Sequence, residues 1–504
     1  MLAASLFAAA LAIRVPFVTL IPQFTDETLD APISQGILRG KFPLVGSDAY
    51  TGGFHYYLEA LALWVSGSSV YAPRLLILIL GALTTLPTYL LARESLLAVA
   101  PAATTRQLRW AGLTAGGLVA TNAIHVATNS HIAWPHCTVP LYLTFTVFAV
   151  ERALRTSAGR WLVAAGLGAG LAQQQHPTMA LIWPVLAVYV LVRRRHLVLS
   201  RWGALAVLAV AVGVAPLLVY NARSGLRSVF EAMQQVGDYQ EGRNRDFSLA
   251  GRAVDVASTS LRLPASVIDA PPGVGAALSR IDVPAYVLVS VAGLVLAARA
   301  GAAGPAAAAG SLILLLPFFP AVHEILPRQG RYIMPAIPML YVGAGVLSGL
   351  LMARPRGLQR IALIGAVAIL VAYPLLSLAG YYTRVLEAGE TNQRYYVTLA
   401  AAMRLRLPEE PVVLDPTLLK DRPGGGGTAH RTFDFLFTVS DVPHITLEQS
   451  ADRIDRRTQA PTVLVVADER PGSISTSANN TVWEAAPLPN DEGGGFTLWR
   501  YTRR

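Results

Sequence analysis

The chain has 504 residues, 53% of them hydrophobic and only 14% charged. A soluble domain carries about 25% charged residues, so composition excludes a water-soluble globular protein. The formal net charge of +10 is almost entirely arginine, since Lys41 and Lys420 are the only lysines, and it fits membrane edges and phosphates better than a nucleic-acid surface.

Apolar runs of about 20 residues recur, as helical spans require, in place of the short alternating segments of a β-barrel. Cys137 is the sole cysteine, which excludes an intrachain disulfide and any cysteine-based metal or redox motif. The first apolar segment lacks a basic leading region and is interrupted by Arg14, so it reads as an uncleaved span rather than a signal peptide. Spans are expected near 2–22, 71–92, 109–127, 134–154, 161–176, 178–193, 202–220, 284–300, 306–322, 333–352 and 361–380, about eleven in all. Alternate short turns are rich in arginine, among them Arg93, Arg106, Arg109, Arg152, Arg155, Arg193 to Arg195, Arg354 and Arg356. The positive-inside rule makes that side cytoplasmic. The outer loops 23–70 and 221–283, and everything after 380, then lie outside.

Within the first outer loop, Leu29 to Leu38 has helical spacing and is broken by Gly40 and Pro43; His55 to Val65 reads as a second helix, stopped near Gly67. Both are expected to lay apolar faces on the membrane surface, with Gly52-Gly53 as a hinge or point of close approach. The loop 221–283 holds helical stretches at 226–241 and 248–262, and is expected to be a lid over a cleft or a solvated connector. After residue 380 the composition changes. Residues 383–406 read as an amphipathic helix, 412–414, 463–466 and 496–501 as strands, and 424–427 as a glycine loop lacking the Lys-Ser/Thr of a phosphate loop. The fold class is thus a polytopic α-helical membrane protein, residues 1–380, followed by a small extracytoplasmic α/β domain, residues 381–504.

The stretch Phe24-Thr25-Asp26-Glu27-Thr28-Leu29-Asp30 stands directly outside the first span. Acids there either cap the following helix, whose amino terminus favours Asp and Glu, or do chemistry at the membrane surface. Arg14, Asp26-Glu27 and Gly36-Ile37-Leu38-Arg39-Gly40-Lys41-Phe42-Pro43 resemble the start of the GT-C membrane glycosyltransferases, near the protein O-mannosyltransferases and lipid A aminoarabinose transferases. His55-Tyr56-Tyr57-Leu58-Glu59-Ala60 through Pro73-Arg74 and Tyr89 to Arg93 is similar to that superfamily's second block. Gln329-Gly330-Arg331-Tyr332 through Pro338 is similar to its late outer-loop block.

The resemblance implies a GT-C-like fold and an inverting transfer of a sugar, hexose or pentose, from a polyprenyl-phosphate-linked donor to an acceptor hydroxyl of the envelope on the outer face. Asp26, with Glu27 beside it, falls on the family's catalytic acid pair and would take the acceptor's proton. The departing phosphate needs cations, for which Arg331, Arg328 and Arg74 are the candidates. The aminoarabinose transferases carry Lys-Pro-Pro before the interfacial Tyr-Tyr; here Thr51-Gly52-Gly53-Phe54-His55 stands there, which argues against that donor and leaves His55 as a phosphate contact. Asp48, Tyr56, Tyr57, His131, His136, His323 and Tyr332 are candidate cleft-lining residues. The histidines, His125 and His176 among them, could join Asp26, Glu27, Asp48 and Glu324 around a divalent metal, although no ligand spacing fixes one. The competing readings are a secondary transporter or lipid flippase, which would show repeated halves and mid-membrane polar breaks, and a non-catalytic envelope scaffold.

Overall fold

The computed structural model describes residues 2–19, 25–242, 248–262, 274–318, 332–353, 357–387, 392–420, 428–447, 458–468, 483–488 and 496–503. In chain order its helices are α1 Leu2–Arg14, α2 Thr25–Leu38, α3 Phe54–Val65, α4 Ala72–Leu83, α5 Thr85–Val99, α6 Thr105–Thr121 and α7 Ala123–His131. There follow α8 Val139–Thr156, α9 Arg160–Gln175, α10 Trp183–Val198, α11 Arg201–Gly213, α12 Ala215–Ser224, α13 Arg227–Gly242, α14 Leu249–Arg262, α15 Val274–Arg299 and α16 Gly304–Leu315. The last four are α17 Ile337–Leu351, α18 Leu358–Glu387, α19 Asn392–Leu405 and α20 Ala429–Val439, the final pair interleaved with strands β1 Val412–Leu414, β2 His444–Thr446, β3 Thr462–Ala467, β4 Trp483–Leu488 and β5 Thr497–Arg503.

Among the described residues each expected span falls mainly on helix, but fewer stand as full-length spans. Among the described residues, Ala72–Val99, Pro135–Thr156, Pro177–Val198 and Met334–Leu351 are long and apolar enough to cross a membrane. The pair α11 and α12, bent by 67°, makes a fifth if it is one span. Leu2–Phe17, Pro284–Arg299, Gly304–Phe318 and Ile364–Gly380 are apolar but shorter. The shortfall has a local cause at 109–127. Asn122 ends α6 and caps α7, its side chain accepting from the His125 amide at 2.8 Å, so one predicted span becomes two helices.

The chain separates into two compact units. The first comprises Met1–Val15, Pro43–His55 and Ile77–Tyr382. Its core is built where α5, α6, α8 and α17 meet, on Leu91, Leu96, Leu118, Leu143, Val147, Tyr341 and Val342. Small residues let helices approach closely, the usual device where lipid supplies no hydrophobic drive for association. At the α15–α17 crossing a Cβ on Gly343 would overlap the carbonyl oxygen of Ser290. Gly343→Val should therefore destabilise this unit by about 2 kcal/mol or more through overpacking, read as a lower midpoint of thermal unfolding. Buried acids hold the arginine-rich ends. Glu94 bonds Arg152 and, at 2.5 Å, Arg155; Glu151 accepts from the Gly304 amide at 2.7 Å, at the start of α16, and from Tyr189 at 2.9 Å. Away from the core, Val192 of α10 and Val207 of α11 are 78% and 71% exposed, as lipid-facing side chains of a membrane helix would be.

The second unit comprises Pro16–Phe42, Tyr56–Leu76 and Thr383–Arg504. Residues 16–42 and 56–76, grouped above with the membrane portion, thus cluster with the C-terminal residues. The reason is a shared apolar core: Ala31 of α2, Leu63 of α3 and Ala72 of α4 are buried with Tyr395, Leu399, Phe433, Leu436 and Phe437. Ala31 and Leu63, expected on faces laid against a membrane, are thus taken up by a protein core, while Leu61, Trp64 and Val65 of α3 are exposed. The sheet order is β2-β1-β3-β5-β4, with β2, β1 and β3 parallel and β5 and β4 antiparallel. Central strands β1 and β3 pair Val413 with Val465 and are buried along almost their whole length, which is why their sequences are unbroken apolar runs. Of the amphipathic helix expected at 383–406, residues 383–387 end α18 and residues 392–405 form α19.

Candidate active site

The acid stretch after the first span forms the first turn of α2. Asp26 lies there; its side chain is outside the described residues. Glu27 is 2% exposed and receives a two-pronged contact from Arg74, itself 1% exposed, with Nη2 to Oε1 at 2.6 Å and Nε to Oε2 at 3.1 Å. Arg74 also donates from Nη1 to the carbonyl of Val18 at 3.0 Å. The planar guanidinium matches a carboxylate with two parallel bonds, so α4 fixes both the amino-terminal turn of α2 and the chain entering it. Arg74, a candidate phosphate ligand by sequence, here holds Glu27.

Two further buried acids, Asp30 and Glu59, lie near this pair. Tyr56 donates to Asp30 at 3.0 Å. Glu59, one turn on from His55 along α3, is 1% exposed. Burial drives its pKa well above the ordinary carboxylate value, the neighbouring charge of Asp30 adds to this and that of Glu27 less, while a bond from Ser34 opposes them. The shift favours the neutral form of Glu59 and so eases the repulsion among the three carboxylates. Sequence reading missed Glu59; an acid amid the apolar run Tyr56 to Val65 was the available signal.

In the first unit, His136 and His176 stack with ring centroids 4.1 Å apart, and Tyr332 meets them at 5.1 and 5.2 Å. Two cleft candidates, His136 and Tyr332, thus share one aromatic group with His176, which the sequence offered only as a possible metal ligand. His55, also in this unit, is 1% exposed, and burial pushes its pKa down to about 3. It is neutral at physiological pH, so it can offer phosphate an N–H but no positive charge. The loop before it is fastened to α9: the Gly52 amide donates to the Gln174 carbonyl at 2.8 Å and the Phe54 amide to its side chain at 3.2 Å. A Cβ on Gly52 would overlap Gln174, so the glycine marks a close approach. Asp48 is exposed in that loop, accepting from Tyr50 at 2.9 Å. Tyr57 is half-buried, and the side chain of His131, at the end of α7, is outside the described residues. Arg328, Arg331, His323 and Glu324 also lie outside the described residues. Among the described residues no group of three or more His, Cys, Asp or Glu is placed to hold a metal ion.

Arg14 reaches deeper than its place in the motif implied. Fully buried, it donates to the carbonyls of Ala10 at 2.9 Å and Ala120 at 3.2 Å and to Nδ1 of His125 at 2.8 Å. Asn122 extends this network, donating to Tyr341 at 2.8 Å. A charge at that depth is tolerated because carbonyls and an imidazole solvate it.

Two crystal structures of ArnT from Cupriavidus metallidurans superpose on this chain: one bound to undecaprenyl phosphate, at a TM-score of 0.59 and 14% identity, and one in the apo state, at 0.56 and 13%. Each match covers 99% of this chain and 97% of the other. The chain has the fold of ArnT. The likeness agrees with the GT-C resemblance carried by the Asp26-Glu27 and Arg331-Tyr332 blocks, and it extends through the C-terminal sheet, for which the sequence offered no relative. No protein-family model matches the sequence, and no curated protein does.

Proposed function

We infer that this protein is an inverting, polyprenyl-phosphate-sugar-dependent glycosyltransferase of the cell membrane, acting at the outer face. Asp26 is the general base. It removes the proton from an acceptor hydroxyl as that oxygen attacks the anomeric carbon; the bond to the lipid phosphate breaks on the opposite side, giving inversion. Lipid phosphate is a good leaving group, so no second carboxylic acid is required, only cations to stabilise the departing charge. Arg331 and Arg328 take that role. Arg74 and Glu27 hold the turn that carries the base, because the guanidinium already forms two bonds to a buried carboxylate.

One observation carries this reading. Asp26 sits on the pinned first turn of a helix, in a fold shared over 99% of the chain with a protein whose crystal structure holds undecaprenyl phosphate. The dipole of α2 favours negative charge at that turn. The test is incubation of purified full-length protein in lipid nanodiscs with a panel of polyprenyl-phosphate-linked hexoses and pentoses and envelope acceptors, with products read by mass spectrometry. A glycosylated acceptor with inverted anomeric configuration is expected. Movement of lipid or solute without a covalent product would overturn the reading in favour of a transporter.

A further inference from the structure

The carboxyl-terminal half of α2 is held by the C-terminal domain. Gln35 is 5% exposed, and its Nε2 donates to the carbonyl of Val439 at 2.9 Å, although the two are 404 residues apart. Val439 is the last residue of α20, where helix carbonyls lack an intrahelical donor; Gln35 supplies one. One turn further, Arg39 bonds Gln35 Oε1 at 3.3 Å and Asp441 Oδ1 at 2.5 Å. Between the two ends of α2, Ala31 is fully buried in the core that holds Phe433 and Leu436. The turn that receives these contacts is itself stiffened: the Val442 amide bonds the Phe437 carbonyl at 2.9 Å, and His444 bridges Val442 and Asp434.

We propose that the C-terminal α/β domain is a working part of the catalytic apparatus, with Gln35 as its positioning residue: α2 is fixed at one end by Arg74 on Glu27 and at the other by Val439 on Gln35, and only the two together set the direction of its first turn. This rests on Asp26 being the base. Gln35 lies nine residues beyond Asp26, about 13 Å along the helix axis, so it touches no reacting atom. A helix held at one end can tilt, whereas one held at both ends cannot. A small tilt suffices, because a displacement of about 1 Å can lower a rate about 100-fold.

The test is Gln35→Met in the full-length protein, which keeps the size of the side chain and removes the donor. Turnover should fall about 10-fold or more with KM for the lipid-linked donor within about twofold of the parent, because positioning acts on the chemical step rather than on donor binding. Arg39→Met is the second variant, chosen because the Arg39–Asp441 pair is 57% and 82% exposed and its loss spares the fold; a smaller fall in turnover, again with KM unchanged, is expected. Unchanged turnover in Arg39→Met together with unchanged turnover or failure to fold in Gln35→Met would overturn the proposal. Asp26→Asn, assayed alongside, separates the two ideas: if it is inactive while both positioning variants are normal, the base stands and the lever falls. If Asp26→Asn is active, the base itself falls.

Discussion

Asp26→Asn is expected to lower turnover by about 100- to 10,000-fold, the usual contribution of a positioned general base, while expression, melting and donor affinity stay at parental values. Asparagine has the size of aspartate and gives up only the carboxylate's interaction with the helix dipole, about 0.3–1 kcal/mol, so α2 should form as before. What it lacks is a basic oxygen for the acceptor proton. The measurement is single-turnover transfer from a polyprenyl-phosphate sugar, since product release would mask a change in chemistry under steady state. Transfer within a few fold of the parent would remove Asp26 from the mechanism. The contrast with its neighbour is informative. Glu27 is adjacent in sequence, yet it is enclosed by Arg74, so altering it should first affect the fold.

Arg74→Met carries the second large effect. Removing one partner of a buried ion pair leaves the other charge without compensation, at a cost of about 3–5 kcal/mol. Both side chains here are 2% exposed or less, so water cannot take over. Thermal unfolding of Arg74→Met should therefore shift down markedly. The double variant Glu27→Leu, Arg74→Met should recover most of that loss, since replacing both charges by apolar groups is commonly close to neutral. Its turnover should nonetheless remain low, because the fork that orients the first turn of α2 is gone. Recovery of both stability and turnover would mean that the pair serves packing alone.

A smaller effect depends on pH. Both ring nitrogens of His444 face acceptors, Nδ1 the Val442 carbonyl and Nε2 the Asp434 carboxylate, each at 2.9 Å. Only the imidazolium donates to both. Burial lowers the His444 pKa, but the bonds to Asp434 and Val442 outweigh it, and the net direction is upward from 6.5. For Asp434 burial raises the pKa, and the bond from His444, with its charge, brings the net value below 3.8. The histidine's contribution to stability is thus complete below 6.5 and lost as pH rises through its raised folded value. The aspartate's is complete above 3.8 and lost as pH falls through its lowered one. Asp434 is 42% exposed, so screening limits the pair to about 1 kcal/mol or less. Melting followed by the fluorescence of Trp483 and Trp499 should decline as pH is raised from about 6 to about 8.5, and His444→Gln should flatten that decline.

The helices were legible because apolar runs, Pro43, Gly67 and the Arg-rich turns are local signals. So was the acid pair, whose place after the first span is written in the chain. What the sequence concealed is long-range. Nothing near Gln35 announces Val439, and nothing near Glu27 announces Arg74 as its partner. Ala31, Leu63 and Ala72 look like membrane-surface residues until Phe433 and Tyr395 are placed beside them. The strands β2 and β4 were missed for a different reason: β2 is three residues long, and β4 runs Trp-Glu-Ala-Ala-Pro-Leu, without alternation. Helix α20 has a clear apolar face but follows a glycine run that drew the reading toward loop.

The second unit draws on three separate stretches of the chain, and this has a consequence for biosynthesis. Residues 16–42 leave the ribosome early, whereas Val439 is made some 400 residues later. Contacts so distant in sequence close slowly, because the intervening chain must first be ordered. Newly inserted spans would thus exist for a time with the acid-bearing helix unseated. On the proposal that Asp26 is the base, an unfinished polypeptide would be in the bilayer yet unable to glycosylate until Val439 and its neighbours had been made and folded against α2.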